Sequence, residues 1–305
     1  MKLLHHGWSH PKNKESIIIS CHKFNIEYEY TEHLDRIHKY DYDILWLSCN
    51  WVSPDSLPEQ IKIIYGPHFC VFPSVDMPIV GPLQEGWKNR CFFTALSDWN
   101  TKIYINFVES FKVPILPLPF GVNTDKFSPI KCEKKYDFLV MFKDRSMNEL
   151  TITLNILQEM NKSFVVFQYG SYKEDDYINC LHSSKAVLWI GRHESQGFGF
   201  QEALSCNIPI LVWDVKSMFE EINKEGESIY KEYNGKQILK ATAASLWDTS
   251  CGEIFYNIDE FENTITIFLN KLFTYKPREF VLKNLTHEVC FGNMLKKLNI
   301  QLEAS

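Results

Sequence analysis

Cysteine pairing motifs are missing from this sequence. Its nine cysteines are scattered through 305 residues, with no Cys-x-x-Cys and no zinc-ligand spacing. An odd, scattered set reads as reduced thiols in a cytosol-like compartment rather than a disulfide framework, so a cytoplasmic location is expected. Long hydrophobic runs are missing too. None reaches membrane-spanning length, and the start, MKLLHHGWSH, lacks the apolar core of a signal peptide; no transmembrane segment is expected. Positive charge is in deficit, with a formal net charge of −6, which argues against a general nucleic-acid or anionic-membrane surface. The glycine fingerprint of dinucleotide enzymes is absent, because Gly197-Phe198-Gly199 lacks the third glycine at the required spacing. No cluster of side chains has metal-ligand spacing, so neither a metal nor an organic cofactor is expected.

Apolar residues, by contrast, are plentiful at 45%. That is enough for a real core and argues against disorder. The length suits two domains of ordinary size. Short apolar runs bounded by turn residues predict strands at 2–6, 43–48, 61–65, 90–95, 136–142, 163–168, 186–190 and 210–213. Helices are predicted over 99–111, 147–160, 215–223, 288–298 and within 257–274. Residues 16–24 are too short a run to assign to helix or strand. The stretch 70–86, rich in Pro and Gly, reads as a long loop of the kind that often carries function. Prolines and turn residues in KVPILPLPFGVNTDKFSP (112–129) mark a link between two apolar blocks.

The most informative stretch is AVLWIGRHESQGFGFQEALSCNIPILVWD (186–214). An apolar run makes a buried strand, and a polar, glycine-containing loop follows. QEALSC has helical composition, Asn207 and Pro209 break it, and ILVW is a second strand. This is a βαβ unit with its loop at the strand's carboxyl end, where ligands bind in open parallel sheets. Free N–H groups at a helix start attract phosphate. Glu194 and Glu202 frame the loop with seven residues between them. With a helix starting near residue 196 or 197, Glu194 precedes it and Glu202 lies one to two turns inside. The pair is therefore expected to hold two ends of one ligand, not to act as one acid/base couple. A phosphate would sit between them at the N–H groups of Gly197, Phe198 and Gly199, next to Gln196. Carboxylates suit sugar and ribose hydroxyls because their oxygens accept O–H hydrogen bonds. The competing reading is a surface Glu194 favoured by the helix dipole and a solvated Glu202.

ESQGFGFQEALSCNIPILVWD resembles the Glu-x7-Glu motif of retaining nucleotide-sugar glycosyltransferases with the GT-B fold, the family-four type (glycosyl transferases group 1). Glu194, Gly197, Glu202, Ala203, Cys206 and Pro209 fall in register with it. GVNTDKFSP (121–129) likewise resembles the family's crossing into the C-terminal domain. The resemblance covers 113 to about 280 well and the first 110 residues poorly. It implies an α/β protein of GT-B type, two Rossmann-like domains with parallel sheets facing a central cleft. The expected divisions are 1–120 for the acceptor side, 121–285 for the nucleotide sugar, and 286–305 as a final helix returning to the first domain. It also implies a nucleoside diphosphate sugar as donor and a carbohydrate or glycoconjugate hydroxyl as acceptor. Glu194 would touch the donor sugar and Glu202 the ribose.

Other residues follow from residue type and the same resemblance. Lys143 and Arg145, after the strand at 136–142, suit a diphosphate, Lys as a point charge and Arg as a fork. In the family Arg comes first and Lys later; here the order is reversed, which leaves open which of the two binds phosphate. His68, just past the strand at 61–65, is the candidate for a sugar-facing catalytic histidine, with an ordinary loop histidine as the alternative. Gly7 follows the first strand where the family has a glycine loop, and a plain tight turn explains it equally well. Tyr172 is a candidate base-stacking residue, with packing as the alternative. Two further classes stay open: a GT-B epimerase, and a nucleotide-sugar-binding protein without transferase activity.

Overall fold

The computed structural model describes residues 1–68, 77–221 and 240–300. In chain order the elements are β1 (Lys2–His6), α1 (Pro11–Lys23), β2 (Glu27–Thr31), β3 (Ile44–Leu47), β4 (Lys62–Tyr65), β5 (Cys91–Ala95), α2 (Asp98–Phe107) and β6 (Ile115–Pro117). They continue with β7 (Tyr136–Lys143), α3 (Met147–Glu159), β8 (Phe164–Gln168), α4 (Glu174–Ser183), β9 (Ser184–Gly191), α5 (Phe198–Ser205) and β10 (Ile210–Trp213). Last come β11 (Gly252–Phe255), α6 (Ile258–Asn270), α7 (Pro277–Asn284) and α8 (His287–Lys297). The chain divides into two compact units. One comprises Met1–Gly121 with Leu285–Ser305, the other Val122–Asn284. Each is an α/β unit built on one parallel sheet, ordered β2-β1-β3-β4-β5-β6 in the first and β11-β10-β9-β7-β8 in the second. No helix among the described residues is long and apolar enough to cross a membrane.

The strands of the second unit read as near-continuous apolar runs because both sheet faces are covered. Phe138, Val140 and Phe142 of β7 join Ala186, Leu188 and Ile190 of β9. Together they face Leu150 and Leu157 of α3 and Phe261, Ile265 and Phe268 of α6. Their alternates, Leu139, Met141 and Val187, are equally buried on the opposite face. Helix α3 starts with a reciprocal cap between Ser146 and Glu149. From β7 the chain moves to one side for β8 and returns to the other side for β9. The carboxyl ends of β7 and β9 thus form the switch point, the place where such sheets open a crevice for ligands.

In the first unit α8 packs against α1. Phe291 of α8 stacks on Trp46 at 6.4 Å between ring centroids, and Phe120 stacks on the same indole at 5.5 Å. Lys23 pairs with Glu288 at 2.6 Å.

Several elements differ from expectation. Residues 16–24 belong to a helix, α1. No helix covers the described part of 215–223. Asp214 accepts from Val215 N at 2.8 Å, and the backbone is extended at Ser217, so only a short 3-10 turn forms at Met218–Glu220; residues 222 and 223 lie outside the described residues. Helix α2 stops at Phe107, because Val108 is extended and Phe111 bridges to Val80. Strand β2, EYEYT, is an edge strand whose charged residues disguise it. Helix α4 is polar, yet Tyr177, Cys180 and Leu181 place one buried stripe at helical spacing. Of the expected loop at 70–86, residues 70–76 lie outside the described residues.

Candidate functional site

The site is built at the switch point of the second unit. Lys143 ends β7 and stands in register with Gly191, the end of β9. Three residues on, the chain presents Glu194, whose carboxylate Oε1 accepts a hydrogen bond from Lys143 Nζ at 2.6 Å. The ammonium also lies 4.0 Å from the ring centroid of Tyr169, beyond the end of β8. Glu194 is 8% exposed and Lys143 5%, so this is a buried ion pair. Removing one partner of such a pair strands the other charge.

Local chain geometry explains the loop. Gly197 precedes α5 with φ +80°, and a Cβ there would sit 3.1 Å from Cβ of Glu194. Only glycine adopts that backbone readily and lets the loop fold tightly over Glu194. A second segment braces it. Glu194 N donates to Thr242 O at 2.9 Å, and Ser245 Oγ donates to Gln196 O at 2.8 Å. The Gln196 and Gln201 side chains close the turn, with Gln201 Nε2 donating to Gln196 O at 2.8 Å. Asp214, at the end of β10, anchors the bracing segment: it accepts from Ala243 N at 2.6 Å and Thr242 Oγ1 at 2.7 Å.

Burial raises the pKa of Asp214 above its ordinary value, although bonds from Ala243, Thr242 and Val215 pull the other way. A carboxyl group with a raised native pKa loses folding stability as pH climbs from the ordinary value, 3.8, through the native one. Asp214→Asn keeps an acceptor for both backbone N–H groups and removes the buried charge. It should unfold at higher denaturant than the native protein at neutral pH, and the advantage should vanish below the ordinary aspartate range. Asp214→Ala should be destabilised by about 1–3 kcal/mol, since those N–H groups lose their acceptor. Urea titrations across pH check both; an Asn variant weaker than native at neutral pH contradicts the account.

No side chain caps α5, and its first turn carries no acid, so no side-chain cap competes for the N–H groups of Phe198 and Gly199. Glu202, 5% exposed, lies one turn further in. Tyr177 donates to Gly199 O at 2.6 Å and packs on Tyr172, 5.4 Å between centroids. Tyr172 also touches Phe167 at 5.1 Å. Its hydroxyl is held well above the usual range by burial first and by Glu202 next. Tyr172 is thus part of a packed aromatic cluster beside Glu202.

The two basic candidates differ. Arg145 gives Nε and Nη2 to Glu149 at 3.0 and 2.6 Å and lies 5.4 Å from the Trp213 ring centroid. Its Nη1 also donates to Gly191 O, at the end of β9, at 3.4 Å, so the guanidinium ties the start of α3 to the end of β9, whereas Lys143 meets Glu194. Sequence reasoning missed a neighbouring cluster. His193 Nδ1 is 2.9 Å from Glu221 Oε2, and Arg192 Nη1 is 2.5 Å from Glu221 Oε1. Burial would raise Glu221, but His193 and Arg192 outweigh it and hold the carboxyl below its ordinary range. The one sequence signal was two titratable residues directly before Glu194.

His68 and Gly7 belong to the other unit. The His68 ring meets Phe93 edge-on at 5.1 Å, and burial lowers its pKa to about 4, so it is neutral at physiological pH. Gly7 follows β1, whose His6 bonds Thr31 O at 3.1 Å and Asn50 Nδ2 at 2.8 Å. Because His6 must donate from Nδ1 to that carbonyl, its Nε2 accepts from Asn50.

Among the described residues no group of three His, Cys, Asp or Glu side chains is placed to hold a metal ion. The expectation of metal independence must accommodate one Asp-x-Asp triplet, Asp41-Tyr42-Asp43. It precedes β3, at the amino end of the sheet. Asp41 accepts from Arg36 Nη1 at 2.6 Å and Asp43 from Lys2 N at 2.7 Å. Asp43 thus serves the start of β1 and Asp41 the Arg36 side chain, at the opposite end of the sheet from the one where such sheets bind ligands.

No protein-family model matches the sequence, and no curated protein matches it. Solved structures do resemble the fold. The sucrose-phosphate synthase of Thermosynechococcus elongatus matches with a TM-score of 0.57 and 9% identity, over 98% of this chain and 99% of that one. The lipopolysaccharide outer core galactosyltransferase WaaB in its apo form gives 0.55 and 12%, over 98% and 99%. WaaG, a glycosyltransferase involved in lipopolysaccharide biosynthesis, gives 0.51 and 7%, over the full length of both chains. TarM, with a TM-score of 0.49 and 14% identity over 84% of this chain, is longer: the match spans 55% of its length. At these identities the likeness is one of fold, and the fold is GT-B: two parallel-sheet α/β units matched along the whole chain.

Proposed function

We propose that this protein is a retaining glycosyltransferase that moves a sugar from a nucleoside diphosphate sugar to a hydroxyl acceptor. The observation that carries the reading is the buried Lys143–Glu194 pair beside the uncapped start of α5, at the switch point of a GT-B sheet. The N–H groups of Gly197, Phe198 and Gly199, with the Lys143 ammonium, would receive the diphosphate. Glu194 would accept hydroxyls of the donor sugar, and Glu202 the ribose hydroxyls. The bond that breaks joins the sugar to the diphosphate, so negative charge grows on the leaving group. A preorganised helix start and one ammonium in a water-poor pocket stabilise that charge more than bulk water does. Arg145, Asp214 and Gln196 would hold these groups in place. His68, neutral, would act by hydrogen bonding, and Gly7 belongs to the same reading.

On this reading the reaction needs no metal and keeps most of its rate in excess EDTA. Loss of activity that Mg²⁺ or Mn²⁺ restores would refute that part.

The primary test is thermal shift with UDP-, GDP- and ADP-sugars, since a ligand that binds the native state raises its melting temperature. Calorimetry on Glu202→Ala follows with the nucleotide that binds. A lost hydrogen bond to a buried hydroxyl, about 1–3 kcal/mol, should weaken bare nucleoside diphosphate and full donor alike. Unchanged affinity for both ligands would remove Glu202 from the site. Two alternatives separate in the same material: a binding protein takes the donor but turns over no acceptor, and an epimerase converts the donor alone.

A further inference from the structure

We infer that Glu194 makes the site discriminate against the bare nucleoside diphosphate by competing with it for Lys143. The inference rests on the reading of the site given above and adds a property to it. In the structure the ammonium of Lys143 lies between the Glu194 carboxylate at 2.6 Å and the Tyr169 ring at 4.0 Å from its centroid. Its side chain is 6% exposed and that of Glu194 10%, so water does little to screen the pair. A diphosphate arriving at the start of α5 needs the same cation. The carboxylate then either releases the ammonium or shares it.

Both routes weigh against the bare diphosphate. If Glu194 releases Lys143, a buried carboxylate gives up the cation 2.6 Å away and keeps only its weaker interactions, among them the charge of Arg192. If it shares, two anions face each other across one ammonium in a low-dielectric pocket, where like charges repel strongly. A sugar-bearing donor changes the balance, because its hydroxyls donate to Glu194 and replace what Lys143 gave. The exchange is non-covalent and moves no proton. After transfer the sugar leaves, Glu194 takes Lys143 back, and the product diphosphate loses its cation. The ion pair thus favours the substrate over the product that shares its nucleotide.

The experiment is calorimetry with UDP, GDP and ADP and with the matching sugar nucleotides, on the full chain. The proteins are the native chain, Glu194→Gln, Glu194→Asp and the double variant Lys143→Met/Glu194→Gln. Glu194→Gln should bind the bare nucleotide at least about tenfold more tightly than the native protein, a difference of about 1.4 kcal/mol. It should bind the sugar-bearing form no more tightly than the native protein does. The double variant should lose the gain. Glu194→Asp, which keeps the charge but draws it back by one methylene, covers the case in which Glu194→Gln does not fold. It should tighten the bare nucleotide by a smaller factor. Equal or weaker binding of the bare nucleotide by a folded Glu194 variant overturns the inference while leaving a nucleotide-binding site in place. Absence of binding to every protein tested, the native one included, overturns the functional reading beneath it.

Discussion

Gly252→Ala will not yield a normally folded second unit. Gly252 opens β11 with φ +149°, in register with Ile210 of β10. A Cβ there would lie 1.9 Å from the carbonyl oxygen of Ile210 and 2.8 Å from its carbon. The obstacle is backbone, and no side-chain rotation removes it. The two strands would have to separate, yet Ile210 N bonds Cys251 O at 3.0 Å and Ile210 is fully buried. Strained backbone and a broken ladder at a buried strand belong to the mechanisms that exceed about 4 kcal/mol. That is a large part of the roughly 5–15 kcal/mol holding an average domain together. Gly86→Ala is the control, because nothing lies within 4 Å of its added carbon. Denaturant unfolding of both variants decides the matter. A Gly252→Ala protein with native stability would mean that β10 and β11 are not paired as described.

Lys143→Met should abolish most turnover and also weaken the fold, and the two effects can be separated. The substitution removes the ammonium and leaves the Glu194 carboxylate buried without the cation 2.6 Å away. Losing one partner of a buried pair costs about 3–5 kcal/mol of stability. Adding Glu194→Gln removes the buried negative charge that lost its nearest cation, so the double variant should recover most of that stability. It should not recover activity. If Lys143 stabilises the leaving diphosphate, removing it lowers turnover by about 10²–10³-fold in the single variant, and by at least as much in the double variant, which also lacks the Glu194 carboxylate. Urea unfolding and single-turnover kinetics on the same preparations provide the check. A double variant that regains activity along with stability would make Lys143 a structural residue.

The Arg145 result shows where reading the chain alone runs out. Lys143 and Arg145 are two residues apart and carry the same charge. Nothing local says that the guanidinium reaches Gly191 O as well as its near neighbour Glu149, or that the ammonium crosses to Glu194. Both long-range contacts arise because β7 lies beside β9, which brings together residues 46 and 51 positions apart. Asp214 is similar. It looks like a strand-end aspartate until Thr242 and Ala243 are seen bonded to it across 28 and 29 positions. The missed strand β2 has another cause, since an edge strand needs no apolar run on its open side.

The amino-acid sequence by itself determined the α/β class, most of the strands, the glycine-containing loop after β9 and the spacing that puts Glu194 before a helix and Glu202 inside it. These depend on short-range physics: side-chain periodicity, backbone freedom and capping act over a few residues, so a few residues reveal them. Only the tertiary structure decided the distant partners: Lys143 for Glu194, Gly191 for Arg145, Thr242 for Asp214, and α1 for the returning α8. Charges and hydrogen bonds in a buried site act through space, and strand order alone determines which distant residues share that space.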